Sequence, residues 1–131
     1  MADTVTSHVL YDGIRRYAVH LTNQSDGTGE SGVIKVDIST LTDGAGDVAT
    51  YSTVDRIVGT TNGFSSVGLA WDHTTDDEIA VLSGLFDIDF SDAGGLTDPK
   101  SAGGTGDIIL TTVGAATGAA YDITIYLRPK S

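Results

Sequence analysis

The chain has 131 residues, the length of one domain, and seven Lys and Arg against eighteen Asp and Glu give a formal charge of −11, which opposes the phosphate backbone that nucleic-acid binders must neutralise. The absence of cysteine removes thiol catalysis, cysteine-zinc sites and disulfides, and at this size roughly two thirds of the unfolded surface can be buried without such staples. No apolar run reaches the roughly eighteen residues of a membrane span, and Met1-Ala2-Asp3-Thr4 lacks the basic and apolar regions of a signal peptide, so a soluble single domain over 1–131 with no membrane or nucleic-acid partner is expected.

Sixteen of the eighteen acids are Asp, and 18 Thr, 17 Gly and 11 Ser accompany them. These residues compete with helical backbone bonds or cost entropy in a helix, so strands joined by Gly and Asp turns are expected.

Apolar residues recur at period two between turn signals, in chain order. The first strand covers 4–11. The second covers 16–22, with Tyr17, Val19 and Leu21 on one face and Arg16, Ala18 and His20 on the other. A turn at Ser25-Asp26-Gly27-Thr28-Gly29 leads to 33–39, where Ile34, Val36 and Ile38 face inward against Lys35 and Asp37. The next strand covers 48–58. Asn62-Gly63 then suits a two-residue hairpin turn with positive φ, pairing that strand with 66–71 and its inward set Val67, Leu69 and Trp71. In 79–90, Ile79 and Val81 share a phase that Phe86, Ile88 and Phe90 do not, so a bulge or bend is expected near Ser83-Gly84. The glycine-rich stretch 92–106 is a long loop. In 107–113 the run Ile108-Ile109-Leu110 predicts a strand covered on both faces. The last strand, 120–127, sets Tyr121, Ile123, Ile125 and Leu127 against Asp122, Thr124 and Tyr126, and ends at Pro129. About eight strands predict an all-β fold, a single-domain antiparallel β-sandwich or barrel, jelly-roll-like.

Candidate chemistry is sparse. His8, His20 and His73 are the only histidines, no Gly-x-Ser-x-Gly elbow accompanies them, and they read as surface or packed residues. Gly103-Gly104-Thr105-Gly106 lacks the Gly-Lys-Ser/Thr of a phosphate loop and reads as a turn. Asp87, Asp89 and Ser91 alternate as in a calcium loop, but Asp92 stands where glycine is required; the two Asp read as the water-facing side of a strand. Asp72, His73, Asp76, Asp77 and Glu78 could offer oxygen ligands to calcium, against the plain reading of an acidic turn in an Asp-rich chain. No catalytic residue, metal site or cofactor is expected, and an enzyme is the last of the readings. A small-ligand or sugar-binding β-domain would need stacking aromatics in loops, for which Phe64 and Tyr51 are the candidates.

The blocks Leu10-Tyr11-Asp12-Gly13, Leu21 to Glu30 (LTNQSDGTGE), Val36-Asp37-Ile38-Ser39-Thr40-Leu41, Trp71-Asp72, Asp89 to Gly95 (DFSDAGG) and Gly106 to Thr112 (GDIILTT) resemble small virion structural proteins of tailed bacteriophages, including capsid decoration, or cement, proteins. The resemblance spans most of the chain and rests on texture and block order. It implies a structural virion protein on the capsid surface, made in the host bacterial cytoplasm, with the major capsid protein and copies of itself, as a homotrimer, for partners. A tail, baseplate or fibre-associated protein is the alternative. On a body this acidic, docking should concentrate the few cations, and two places cluster them: Arg15 with Arg16, and Arg128 with Lys130 around Pro129. Plain solubility at strand ends is the competing account.

Overall fold

The period-two pattern becomes ten strands in the computed structural model, which describes residues 4–12, 16–42, 45–72, 77–90, 94–98, 106–114 and 116–130. They are β1 (Thr4–Asp12), β2 (Tyr17–Asp26), β3 (Val33–Val36), β4 (Tyr51–Asn62), β5 (Ser66–Trp71), β6 (Asp77–Leu82), β7 (Leu85–Asp89), β8 (Leu96–Thr97), β9 (Ile108–Val113) and β10 (Thr117–Lys130). A 3-10 turn, Ile38–Thr40, is capped by Asp37, whose carboxylate accepts from the Ser39 amide.

Two antiparallel sheets face each other. One runs β1-β2-β10-β4-β7, with β8 also on β4, and the other runs β3-β9-β5-β6. The pairs β2·β10, β3·β9, β4·β7 and β5·β6 are the rungs of one long hairpin rolled so that its strands are shared between the sheets. That is the jelly-roll winding of a sandwich, and the sheets do not close into a barrel. Tyr17, Val19 and Leu21 of β2, Ile123, Ile125 and Leu127 of β10, and Val54 and Ile57 of β4 pack against Val67, Leu69 and Trp71 of β5 and Ile108 and Leu110 of β9. Each fully buried Leu or Ile contributes about 1.5–3 kcal/mol relative to exposure. Trp71 is 2% exposed, and its indole N–H donates to Ser52 Oγ at 3.4 Å.

Several expectations are corrected. Asn62-Gly63 does turn the chain, with Gly63 at φ 88°, but β4 and β5 do not pair. Both edges of β4 are taken, by β10 on one side and by β7 and β8 on the other, and buried Phe64 carries the chain across to the second sheet. The phase change at Ser83-Gly84 is likewise a sheet change: β6 pairs β5, β7 pairs β4, and Gly84 turns between them at φ 70°. With β8 inside the stretch read as a loop, this split accounts for ten strands in place of about eight.

Bulges reset two predicted faces. Between Ile34 and Val36 the register with β9 slips past Lys35, so Ile34 is 52% exposed while Val36 and Ile38 are buried. Between Glu78 and Ala80 it slips past Ile79, so Ile79 and Leu82 are buried and Val81 is 64% exposed. Val48 makes only an isolated bridge to Thr42 ahead of β4. Finally, β10 continues through Pro129 to Lys130. The Lys130 carbonyl accepts from Thr50 on the β4 side, so Pro129 points its missing donor to the other side, where pairing with β2 ends at Leu127.

Candidate functional site

Antiparallel register, not sequence proximity, assembles a groove on the outer face of the larger sheet. On the outer face of the larger sheet, Tyr126 of β10 lies between Ala18 of β2 and Arg56 of β4. Beside the small Ala18, Tyr126 is 41% exposed. Around it opens a groove of about 770 Å³, whose lining includes Arg16, Asp55, Arg56, Asp89, Gly94 and Arg128.

Its charges are organised by backbone irregularity. Where the β4–β10 register slips between Tyr126 and Leu127, Asp55 is the extra residue, and its carboxylate meets Arg128 with Nη2 at 2.9 Å and Nε at 3.0 and 3.1 Å from its oxygens. Arg128 Nη2 also donates to the Gly94 carbonyl at 2.8 Å, tying the 94–95 segment to the sheet. Gly95 must be glycine there: at φ 92° a Cβ would lie 2.4 Å from Thr53 Cγ2 and 2.9 Å from both Arg128 Nη2 and Asp55 Oδ1. Beside this pair, Arg56 grips Asp87 bidentately, Nε to Oδ1 at 2.8 Å and Nη2 to Oδ2 at 2.6 Å. Hydrogen bonding to Arg56 holds the Asp87 carboxyl below the ordinary aspartate value, and the same bond raises Arg56. Both side chains are about half exposed, so solvent screens the pair.

Two of the four cations singled out in the sequence therefore meet in one groove, Arg16 and Arg128. Arg128 is engaged by Asp55, whereas Arg16 is exposed and has no ion-pair partner among the described residues. Lys130 lies two residues beyond Arg128 on the same strand, outside the groove lining, and Arg15 lies outside the described residues. Arg56 was missed because nothing near it in sequence marks it; only the β4–β10 pairing brings it beside Tyr126.

The other candidates are dispersed. His8 and His20 are in register on β1 and β2, and His20 Nε2 contacts Asp122 Oδ1 at 2.5 Å. His73, Ser91, Asp92, Asp76 and the turn residues Gly103 to Thr105 lie outside the described residues. Asp87 and Asp89 stand on the outer face of β7, Asp87 committed to Arg56. Among the described residues no group of three or more His, Asp or Glu could hold a metal ion. Phe64 is 8% exposed and packs against Tyr121 with ring centroids 6.1 Å apart, which removes it as a stacking platform for a sugar.

A second cluster is buried between the sheets. Glu30 Oε2 lies 2.6 Å from Lys35 Nζ, with both side chains 6% exposed. Glu30 Oε1 accepts from Asn23 Nδ2 at 2.7 Å and from the Tyr121 hydroxyl at 2.6 Å. The Glu30 backbone is fixed to β9 in both directions, its N–H donating to Thr112 Oγ1 and its carbonyl accepting from the Thr112 N–H. Alternation in 33–39 turns Lys35 outward; the bulge turns it in. The one available signal was scarcity, since Glu30 is one of two glutamates and Lys35 one of three lysines, five residues apart across Ser31-Gly32.

Comparison with protein-family models, with curated proteins and with solved structures finds no match.

Proposed function

We propose that the chain is a structural protein of a tailed-bacteriophage virion, a decoration (cement) protein that docks on the capsid surface through the outer face of β2, β10 and β4. The observation that carries this reading is the groove: on a body of charge −11 it gathers Arg16, Arg56 and Arg128 around an exposed tyrosine. Tyrosine and arginine are the side chains that most often anchor interfaces. Arg56 and Arg128 are already neutralised by Asp87 and Asp55, which leaves Arg16 as the cation offered to a partner. A jelly roll by itself carries no function, so the weight rests on this face and on the resemblance of the sequence blocks.

The partner in this reading is the major capsid protein, and the module needs no catalytic residue or cofactor, since many copies on a lattice supply avidity through modest interfaces. Copies also associate with each other, as a homotrimer. The edge strand β1 is suited to that contact: Val5 and Val9 share the core-side register of Asn23 and Val19, yet they are 44% and 47% exposed, beyond the reach of the smaller sheet.

The test is co-sedimentation with undecorated capsids across a salt series. Wild-type protein binds, and the double variant Arg16→Ser/Tyr126→Ser, which alters two exposed side chains, loses at least about tenfold in affinity with an unchanged fold. Equal binding by both proteins removes this face from the interface. Wild-type binding to purified tails and not to capsids would instead assign the tail or baseplate role.

A further inference from the structure

We propose that Lys35 and Asn23 are joined by a side-chain amide bond that the folded chain forms on itself, with Glu30 carrying the proton. The cluster has the parts that reaction needs and little else. Lys35 supplies the amine, Asn23 supplies the carboxamide, and one carboxylate holds both, Nζ on Oε2 at 2.6 Å and Nδ2 on Oε1 at 2.7 Å. Asn23 is 1% exposed and the Glu30 and Lys35 side chains are 6% exposed, so bulk water neither competes as a nucleophile nor hydrolyses the product. Tyr121 is a positioning residue: its hydroxyl holds Oε1 at 2.6 Å, and Phe64 packs against its ring. As a plain ion pair the arrangement gains little, because taking two charges out of water offsets most of their attraction. As a reactive set it gathers amine, carboxamide and proton carrier on one carboxylate, and holding reactants together removes a substantial part of the barrier to their reaction.

The chemistry closes without a cofactor. Lys35 passes a proton from Nζ to Glu30 Oε2, and the freed lone pair attacks Cγ of Asn23. The Nζ–Cγ bond forms. Cγ–Nδ2 then breaks as Nδ2 takes up the proton held by Glu30 and leaves as ammonia. Of the three protons that Nζ carried, one remains on the new amide, one completes the ammonia, and the third departs with it as ammonium, so Glu30 ends as the carboxylate it began. Nothing is oxidised or reduced.

The bond would tie β2 in the larger sheet to β3, an edge strand of the smaller one that only three register pairs hold to β9. In a chain with no cysteine it is a covalent staple between the two layers.

Intact-mass spectrometry of the purified full-length chain tests this. The expected mass is below the sequence mass by one ammonia, and proteolysis followed by fragmentation yields a branched peptide linking residues 23 and 35. Lys35→Arg, which keeps a cation against Glu30, and Glu30→Gln, whose one side-chain oxygen still accepts from Asn23 and Tyr121 but which cannot take a proton from Lys35, both appear at full mass, with circular dichroism confirming their fold. Wild-type protein at its full sequence mass overturns the proposal. So does an ammonia loss that maps to a succinimide at Asn62-Gly63 with separate peptides containing residues 23 and 35. A cross-link that persists in Glu30→Gln removes Glu30 as the proton carrier.

Discussion

Replacing Gly95 by alanine tests whether the groove is built as described, because Gly94 beside it supplies an internal control. Both have positive φ, 84° and 92°, and an alanine in the left-handed region costs about 1–2 kcal/mol at either position. Only at Gly95 does the new methyl meet anything. It would lie 2.4 Å from Thr53 Cγ2, and Thr53 cannot turn away without giving up its hydroxyl bond to Thr97, 3.0 Å long, worth about 1 kcal/mol. Arg128 and Asp55, each 2.9 Å from the methyl, are pinned to one another and cannot retreat. Gly95→Ala should therefore cost about 2–3 kcal/mol and Gly94→Ala about 1–2 kcal/mol, at about 3–5 °C of Tm per kcal/mol for a domain of this length. Thermal unfolding followed by circular dichroism should place Gly95→Ala at least about 3 °C below Gly94→Ala. Equal melting temperatures would refute the close approach of the 94–95 segment to β4, and with it the shape of the groove.

Ile123→Ala, fully buried at the centre of β10, should lose about 2–5 kcal/mol in urea unfolding, whereas an effect below about 1 kcal/mol would mean that the two sheets do not pack there. Tyr121→Phe removes the hydroxyl that donates to the Glu30 carboxylate and should cost about 1.5–3 kcal/mol by the same measurement. Because the Asp87 pKa is depressed when folded, its contribution to stability is present above the unfolded aspartate value and lost as pH falls through the folded one; carboxyl NMR should show Asp87 titrating below ordinary aspartates, and in Arg56→Ala returning to them. A chelator should leave the melting temperature unchanged, and a fall of several degrees would mark a cation site, with Asp72, Asp76, Asp77 and Glu78 the first residues to mutate.

What the sequence displayed well was alternation under uniform burial. Strand 66–71 and the inward set Tyr121, Ile123, Ile125 and Leu127 are found as expected, since each faces a continuous core and pattern and environment agree. The errors share one origin, the allocation of strand edges, which is decided by residues far away in the chain. Asn62-Gly63 has the chemistry of a hairpin turn and makes a turn, but which strand β4 pairs with depends on β10 and β7, sixty and twenty-odd residues on. Pro129 reads as a stop only if both sides of its strand are paired, and on the β2 side the pairing ends at Leu127. The bulges at Lys35 and Ile79 leave no local mark, yet the first turns a lysine into the interior beside Glu30. The docking face was half visible for the same reason: Arg16 and Arg128 stand out as scarce cations, while Tyr126 and Arg56 join them only through register.

Electron cryomicroscopy of phage heads assembled with and without the protein decides whether it decorates the capsid. A decoration protein adds density to the outer capsid surface, at local three-fold positions, into which the jelly roll fits with Tyr126 and Arg16 turned toward the shell. Heads identical in the two preparations, with the protein found on the tail or absent from the particle, would contradict it.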